Sequence, residues 1–239
     1  HTSMKFKATI SGTGMRALEK GFVPTLEKFG RVAQVLLGRE DVHFIQGPSN
    51  TDGPFVCVRF ARDALFTRGT LQISSKYKDL IAFQLDVQLL GRVLHGAASV
   101  GADELECRLT LRKVPVNFNG ETTNKPFLSF TTKGASTNTI QDLPISNPYL
   151  SSDVEALVRE KDVATVCPYY LSLQGGALAR VQGTLDRLKS FSDHVDVATT
   201  KGGDLHLQVH EVTVRVGAEL RELKVLPPDA GEAPPPPQA

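Results

Sequence analysis

The sequence contains an internal repeat, in which a strand, an amphipathic helix and a hairpin occur twice at an offset of 163 residues. The hairpin pattern of residues 29–46 returns at 192–209, so that Asp204 follows Asp41 by this distance. The apolar stripes of the two helices keep the same offset, with Met15, Leu18 and Phe22 corresponding to Leu178, Val181 and Leu185. A unit that is used twice predicts two domains built alike.

The segments between the predicted helices are typical of antiparallel strands. Residues 4–10, MKFKATI, alternate apolar and charged side chains, as in a strand with one face in a core and the other in water. The strands predicted between residues 31 and 85 are joined by turns too short for parallel crossovers. Helices are predicted after the first strand, where Pro24 introduces a kink, and at 86–99. We therefore expect an α+β fold with antiparallel sheets and helices on one face.

The repeat and the composition together predict the domain boundaries. We expect a first domain at 4–145, an interdomain connector at 146–163, a second domain at 164–226 and a disordered Pro-rich tail at 227–239. The connector is interpreted as a surface segment because it is acidic and lacks strand alternation. The second domain is predicted to be shortened, because the repeat offset leaves no room for its later helix and final strands.

Charge and cysteine content exclude several classes of protein. The 27 basic residues nearly balance the 26 acidic ones, so any signal for a charged partner must lie in how the charge is distributed. Cys57, Cys107 and Cys167 are far apart and form no CxxC pair, which predicts neither a zinc cluster nor a disulfide framework. There is no apolar run of about twenty residues, so no membrane partner is expected.

A dinucleotide-binding motif is the clearest alternative. Residues 12–17 form a GxGxxA string between a predicted strand and helix, and Glu40 lies about twenty residues further on. Strands of dinucleotide-binding folds are buried on both faces, whereas Lys5 and Lys7 give the first strand a charged face. A small NAD-binding enzyme remains an alternative, but a glycine-rich helix entry is favoured.

No catalytic or metal-binding motif is evident. His206 and His210 share one predicted strand face with Asp204, but no third histidine or cysteine completes a ligand set. Sequence signatures of nucleophilic elbows, metalloproteases and phosphate loops are lacking. We therefore expect no catalytic residue, no metal and no cofactor.

Basic residues on the outer faces of three predicted helices are the remaining signal. They are the side chains opposite or beside the apolar stripes, namely Arg16, Lys20, Lys28, Arg31, Arg92, Arg180 and Arg187. On a chain with a net charge of only +1, three such faces favour an anionic partner over simple solvation.

Several phrases resemble a known family. The start MKFKATI, the phrase TIQDLPISNP and the segment VCPYYLSLQGGALARVQGTLDRLKSF, followed by GDLHLQV, resemble the hydroxyurea-sensitive (Hus-type) subunit of the heterotrimeric 9-1-1 checkpoint sliding clamp. More distantly, the layout is similar to the replication clamp PCNA. The resemblance extends from Met4 to about Leu226 and rests on element order and short phrases.

The resemblance implies a ring of three subunits whose helices face duplex DNA, so the basic helix faces would meet phosphates without reading bases. Edge strands near 137–145 and 211–217 would pair with neighbouring subunits through Thr139, Gln141, Leu143, Val212, Val214 and Val216. The connector would border a groove for client peptides with Leu150, Val154 and Leu157.

The function implied is that of a non-catalytic scaffold in DNA damage checkpoint signalling and repair. The partners implied are two related clamp subunits, an ATP-dependent clamp loader, DNA-repair enzymes and duplex DNA bound without sequence preference. The location implied is the nucleus, with some protein in the cytoplasm. A protein-only adaptor that never contacts DNA is the second alternative.

Overall fold

The computed structural model describes residues 4–47, 55–115, 122–133, 138–161, 168–211 and 215–227. The chain divides into two compact units, His1–Val163 and Ala164–Ala239. Every strand pair that the structure describes is antiparallel, as the short links between strands predict. The α+β fold class is confirmed.

The first unit contains two sheets. The five-stranded sheet has the order β5-β1-β7-β8-β9, and the four-stranded sheet has the order β4-β3-β2-β6. The strands are β1 (Lys5–Ser11), β2 (Val32–Leu37), β3 (Asp41–Gln46), β4 (Val56–Ala61), β5 (Gln72–Ser74), β6 (Ile81–Asp86), β7 (Glu104–Pro115), β8 (Thr122–Lys133) and β9 (Asn138–Pro144).

A continuous helical run follows β1. It consists of α1 (Gly12–Arg16), a π-helical segment (Ala17–Phe22) and α2 (Val23–Leu26). Pro24 lies in the first turn of α2 and has no N–H to donate, and the π-helical segment directly precedes that turn. The other helices of this unit are α3 (Arg62–Leu65), α4 (Val87–Ser99) and α5 (Ser151–Lys161).

One apolar core joins both sheets to the helical run and α4. Its most enclosed side chains include Leu18, Phe83, Leu94 and Phe130. This core explains the alternation of apolar and charged residues in β1. Phe6, Ala8 and Ile10 point into it, and Lys5 and Lys7 lie on the opposite face of the strand. The helices therefore pack against the core face of the five-stranded sheet, and the lysines of β1 point away from them.

Within the predicted connector at 146–163, for which sequence analysis assigned no helix, residues 151–161 form α5. Val154 and Leu157 fall three positions apart on one face of this helix, which is the spacing of a buried helical stripe. They pack on the four-stranded sheet against Leu36 and Ile45, on the side opposite the main core. The stripe is short and lies among charged residues, which is why strand alternation alone did not reveal it.

The second unit contains α6 (Ala177–Leu188) and two small sheets. Its strands are β10 (Tyr170–Ser172), β11 (Asp196–Thr199), β12 (Leu205–His210), β13 (Arg215–Leu220) and β14 (Lys224–Leu226). The sheets have the orders β11-β12-β13 and β10-β14. When 163 is subtracted from their residue numbers, four elements of this unit overlap elements of the first unit. In order, β10 overlaps β1, α6 overlaps the helical run, β11 overlaps β2 and β12 overlaps β3.

The apolar stripe of α6 is only partly buried. Val181 and Leu188 lie in the core of the second unit, with Leu205 and Leu207. Leu178 and Leu185, the other members of the predicted stripe, are 48% and 37% exposed. In the described part of this unit no second helix lies beside α6, whereas in the first unit α4 covers the equivalent side of the helical run.

Candidate functional site

Two helices of the first unit form an antiparallel pair. Gly91 of α4 lies so close to α2 that a Cβ atom placed on it would be 3.0 Å from Val23 Cγ1. Near the other end of the pair, His95 Nδ1 lies 3.2 Å from Glu19 Oε1. Because the contacts run from Glu19 to Val23 on one helix and from His95 to Gly91 on the other, the helices run in opposite directions.

Four basic side chains project from this helix pair into solvent. Arg16, Lys20 and Lys28 lie on or just after the helical run, and Arg92 lies on α4. All four are exposed, and none of them forms an ion pair with another described residue. We call these four residues the basic helix surface. Its charge is available to a partner because only Glu27 is a nearby exposed acid on the same helices.

Arg31 differs from the other predicted cations of the first unit. Its side chain is 74% exposed, but Nε donates to Asp86 Oδ2 at 2.5 Å. Asp86 is also the N-cap of α4, where its other oxygen accepts the Leu89 N–H at 3.1 Å. Burial raises the pKa of Asp86, but the hydrogen bonds from Arg31 and Leu89 outweigh it and lower the pKa. Arg31 therefore has a structural role, and the carboxylate of Asp86 compensates most of its charge.

The predicted cations of the second unit lie on α6. Arg180 and Arg187 are both exposed and follow one flank of the helix. Arg187 Nε donates to the carbonyl of Gly183 at 3.0 Å, which holds the side chain along the helix. At the end of α6, the hydrogen bond from Lys189, at 2.6 Å, lowers the pKa of Asp186. Arg180 and Arg187 are thus the unpaired cations of this helix among the residues described.

The two strands predicted to meet neighbouring subunits lie at sheet edges. β9 ends the five-stranded sheet and β13 ends the three-stranded sheet. On β9, Thr139 is exposed and Gln141 is half-buried, but Leu143 is 1% exposed and belongs to the core. A contact made by the Leu143 side chain is therefore ruled out by its burial. Val216 is half-buried against the core of the second unit, and Val212 and Val214 lie outside the described residues.

Two of the three residues predicted to border a client groove are also buried in the protein's own core. Val154 and Leu157, on the inner face of α5, are each 3% exposed, so their side chains are not accessible to a client peptide. Leu150, directly before α5, is 72% exposed and remains accessible. Packing against the four-stranded sheet is sufficient to explain why Val154 and Leu157 are apolar, and no client peptide is needed to explain it.

The glycine string has a structural explanation. A Cβ atom on Gly14 would lie 2.4 Å from the Leu65 carbonyl oxygen, and one on Gly12 would lie 2.9 Å from that of Asp103. The N–H of Gly14, which would face a pyrophosphate, donates instead to Ser11 Oγ at 3.0 Å. With β1 in an antiparallel sheet, the geometry contradicts the dinucleotide-binding alternative.

A polar cluster on β12 and β13 includes one residue that sequence analysis missed. The ligand atoms of Asp204, His206 and Glu219 lie within 4.8 Å of one another, because Glu219 is the cross-strand partner of His206. Both carboxylates are already engaged, Glu219 by Arg221 at 2.6 Å and Asp204 by Thr200 at 3.1 Å. We assign no metal to this cluster. A pairing between strands carries no local sequence signal, so only the register reveals it.

Among the described residues, no helix combines the length and apolar character needed to cross a bilayer. Comparison with solved structures finds PCNA of Thermococcus kodakaraensis at a TM-score of 0.52 and 18% identity, covering 93% of this chain and 77% of that one. Proliferating cellular nuclear antigen of Entamoeba histolytica matches at a TM-score of 0.52 and 10% identity, covering 94% and 76%. The repeated unit of antiparallel sheets and helices is therefore a DNA-clamp fold.

Sequence comparison refines this class. A model of the family described as "Hus1-like protein" matches residues 4–238. A checkpoint protein hus1 homolog of Dictyostelium discoideum is 26% identical over 208 residues, which cover 86% of this chain and 69% of that protein. The chain belongs to the Hus1-like family. The family and the fold together identify the chain as a checkpoint clamp subunit with a role in the DNA damage checkpoint.

Proposed function

We propose that this chain is a non-catalytic subunit of a heterotrimeric clamp that encircles DNA and acts as a scaffold in damage signalling and repair. Its two neighbours would be related clamp subunits. An ATP-dependent loader would place the ring on DNA, DNA-repair enzymes would bind to it, and its place of action would be the nucleus, with a cytoplasmic pool. The helices of each unit would face the duplex.

The basic helix surface is the observation that carries this proposal. Arg16, Lys20, Lys28 and Arg92 are exposed cations on one packed helix pair, and Arg180 and Arg187 repeat the feature on α6. Contacts from lysine and arginine to phosphates bind without reading sequence and release counterions. A ring that slides along DNA needs an attraction of this kind.

The free edges of β9 and β13 support assembly with neighbouring subunits. An edge strand presents unpaired backbone N–H and C=O groups that a strand from another chain can complete. On β9, exposed Thr139 and half-buried Gln141 would lie at such a contact while Leu143 holds the strand on its own core. Leu150 would be the accessible apolar side chain for a client near α5.

The test uses the chain co-expressed with its two partner subunits. We compare wild type with Arg16→Glu/Lys20→Glu and with Arg180→Glu/Arg187→Glu, and measure affinity for duplex DNA over a range of salt concentrations. Each lost phosphate contact is expected to reduce the slope of log K against log salt by about 0.9. Affinity is expected to fall by similar factors on unrelated DNA sequences.

The matched control is Lys113→Glu/Lys125→Glu, which reverses two exposed charges on β7 and β8, away from the helices. It is expected to leave the slope nearly unchanged. An assembled trimer whose DNA affinity does not respond to either helix variant would favour the protein-only adaptor instead.

A further inference from the structure

A second charged surface lies on the first unit, apart from the helices. It is an open cleft of about 1030 Å³ beside β5, the terminal strand of the five-stranded sheet. Six basic side chains and two acidic ones line it: Lys5, Lys7, Arg39, Arg62, Arg68 and Arg108, with Glu40 and Asp63. The cleft is therefore strongly cationic.

Half of these cations are neutralised within the protein. Lys7 pairs with Glu106 at 3.3 Å, Arg39 with Asp79 at 2.6 Å, and Arg62 with Glu40 and Asp63. Lys5, Arg68 and Arg108 form no ion pair with any residue that the structure describes. Three unpaired positive charges around one concave surface favour a negatively charged occupant.

The strand register places two of the cleft's lysines beside the β5 edge. Lys5 is the cross-strand partner of Ser74, and Lys7 is the partner of Gln72 and, on its other side, of Arg108. Cross-strand partners share a face, so these charges lie on the outer face of the sheet. Phe6 and Ile73 form the pair between them and lie on the core face.

The cleft also offers backbone and apolar groups. β5 pairs only with β1 among the described strands, so its other edge is open to a further strand. Met4, Leu71, Ile73 and Leu109 contribute apolar surface to the lining. Strand addition at an open edge takes its affinity from main-chain hydrogen bonds and its specificity from alternate side chains.

We propose that this cleft binds an acidic polypeptide segment, which extends the five-stranded sheet as a strand beside β5. Residues of the segment next to Gln72 and Ser74 would be Asp or Glu and would face Lys5 and the neighbouring cations. The residue next to Ile73 would be apolar. The segment thus alternates acidic and apolar side chains. A duplex is a poorer fit, because β5 offers strand pairing and the apolar lining offers nothing to phosphates.

The test uses the full chain and a fluorescent peptide of about ten residues that alternates Glu and Val and has a polar end for solubility. Binding is followed by fluorescence anisotropy. Arg68→Glu/Arg108→Glu is expected to weaken binding at least tenfold, and Lys113→Glu/Lys125→Glu is expected to leave it within a factor of about two. A peptide with Gln in place of Glu should also bind at least tenfold more weakly.

A second measurement tests the strand. Hydrogen exchange of the Gln72–Ser74 amides should slow when the peptide is bound, and a peptide N-methylated along one edge should fail to bind. Equal loss in the cleft and control variants, absent binding, or unchanged exchange at β5 would overturn the proposal. So would a duplex DNA probe that binds the cleft more tightly than the peptide does. The readout needs no ring, so it is independent of the proposed function.

Discussion

Arg31 and Asp86 are 55 residues apart in sequence, yet Arg31 Nε lies 2.5 Å from Asp86 Oδ2. The pair joins the start of β2 to the N-cap of α4, and the Val87 N–H donates to the Arg31 carbonyl at 2.9 Å beside it. The hydrogen bonds between Arg31 and residues 86–87 therefore hold the start of β2 against the first turn of α4, the helix that carries Arg92.

Replacing Asp86 should destabilise the first unit in a pH-dependent way. Asp86→Ala removes the N-cap and should cost about 1 kcal/mol at neutral pH. The pKa of Asp86 in the folded protein lies below its ordinary value of 3.8. The contribution of ionised Asp86 to the free energy of unfolding is therefore fully present at pH values above 3.8. It is lost as the pH falls from 3.8 through the lowered folded-state pKa. Urea unfolding at pH 7 and at pH 3 measures this, and a variant equally destabilised at both would contradict it.

The compensation of Arg31 predicts a difference between two arginines that sequence analysis treated alike. In the assembled clamp, Arg16→Gln should reduce the slope of log K against log salt for duplex DNA by about 0.9, because it removes an unpaired cation. Arg31→Gln should change that slope by much less, because its charge is already engaged by Asp86. Equal slopes for the two variants would show that the ion pair opens when DNA binds.

Gly14 should tolerate no side chain. In Gly14→Ala the new methyl would lie 2.4 Å from the Leu65 carbonyl oxygen, so backbone must move at a cost of about 3 kcal/mol. Gly21→Ala in the same helical run is the control, since a Cβ there meets nothing within 4 Å. It should leave the free energy of unfolding unchanged or raise it by up to about 1 kcal/mol. Similar losses in both variants would refute the steric explanation.

The cysteines should differ sharply in reactivity. Cys107 is 2% exposed in the core, and burial raises the pKa of its thiol to about 12. Cys57 is exposed on β4, an edge strand. In a Cys167→Ser background, a maleimide reagent at pH 8 should label Cys57 in the native protein and Cys107 only after unfolding, because the thiolate is the reactive form. Peptide mass spectrometry locates the label, and early modification of Cys107 would contradict its burial.

The repeated helices should respond differently to the same truncation. Met15 is 6% exposed, so Met15→Ala should cost about 2–5 kcal/mol in the first unit. Its counterpart Leu178 is 48% exposed, and Leu178→Ala should cost no more than about 1 kcal/mol in the second unit. Hydrogen exchange of each helix reports the two effects separately. A large loss from Leu178→Ala would mean that something covers that side of α6.

Local periodicity was sufficient to predict most elements of the fold. The alternation of β1 and the stripe of α4 are properties of neighbouring residues, so they are visible in the sequence, and the offset of 163 residues relates the copies. The antiparallel arrangement followed from short links. Local periodicity did not reveal α5, whose stripe is short and lies among charges, nor the partial exposure of Leu178 and Leu185.

The candidate site could be predicted only as a set of exposed cations. Sequence analysis identified Arg16, Lys20 and Arg92 as outward-facing, because amphipathic helices reveal which face is polar. It could not distinguish Arg31, whose partner is remote, nor detect that Glu219 stands across from His206. These relations depend on strand register and helix packing, which no local pattern encodes. The cationic cleft beside β5 gathers residues from distant segments and was missed for the same reason.

The unequal burial of the repeated helices bears on how the two halves can diverge. In the first copy Met15, Leu18 and Phe22 are all enclosed, so a polar replacement at any of them would be eliminated through loss of folding. Of the three corresponding positions in the second copy, only Val181 is under that restriction, because Leu178 and Leu185 are exposed to water. Mutations can therefore accumulate faster along one flank of α6, where new surface chemistry can arise without loss of the fold.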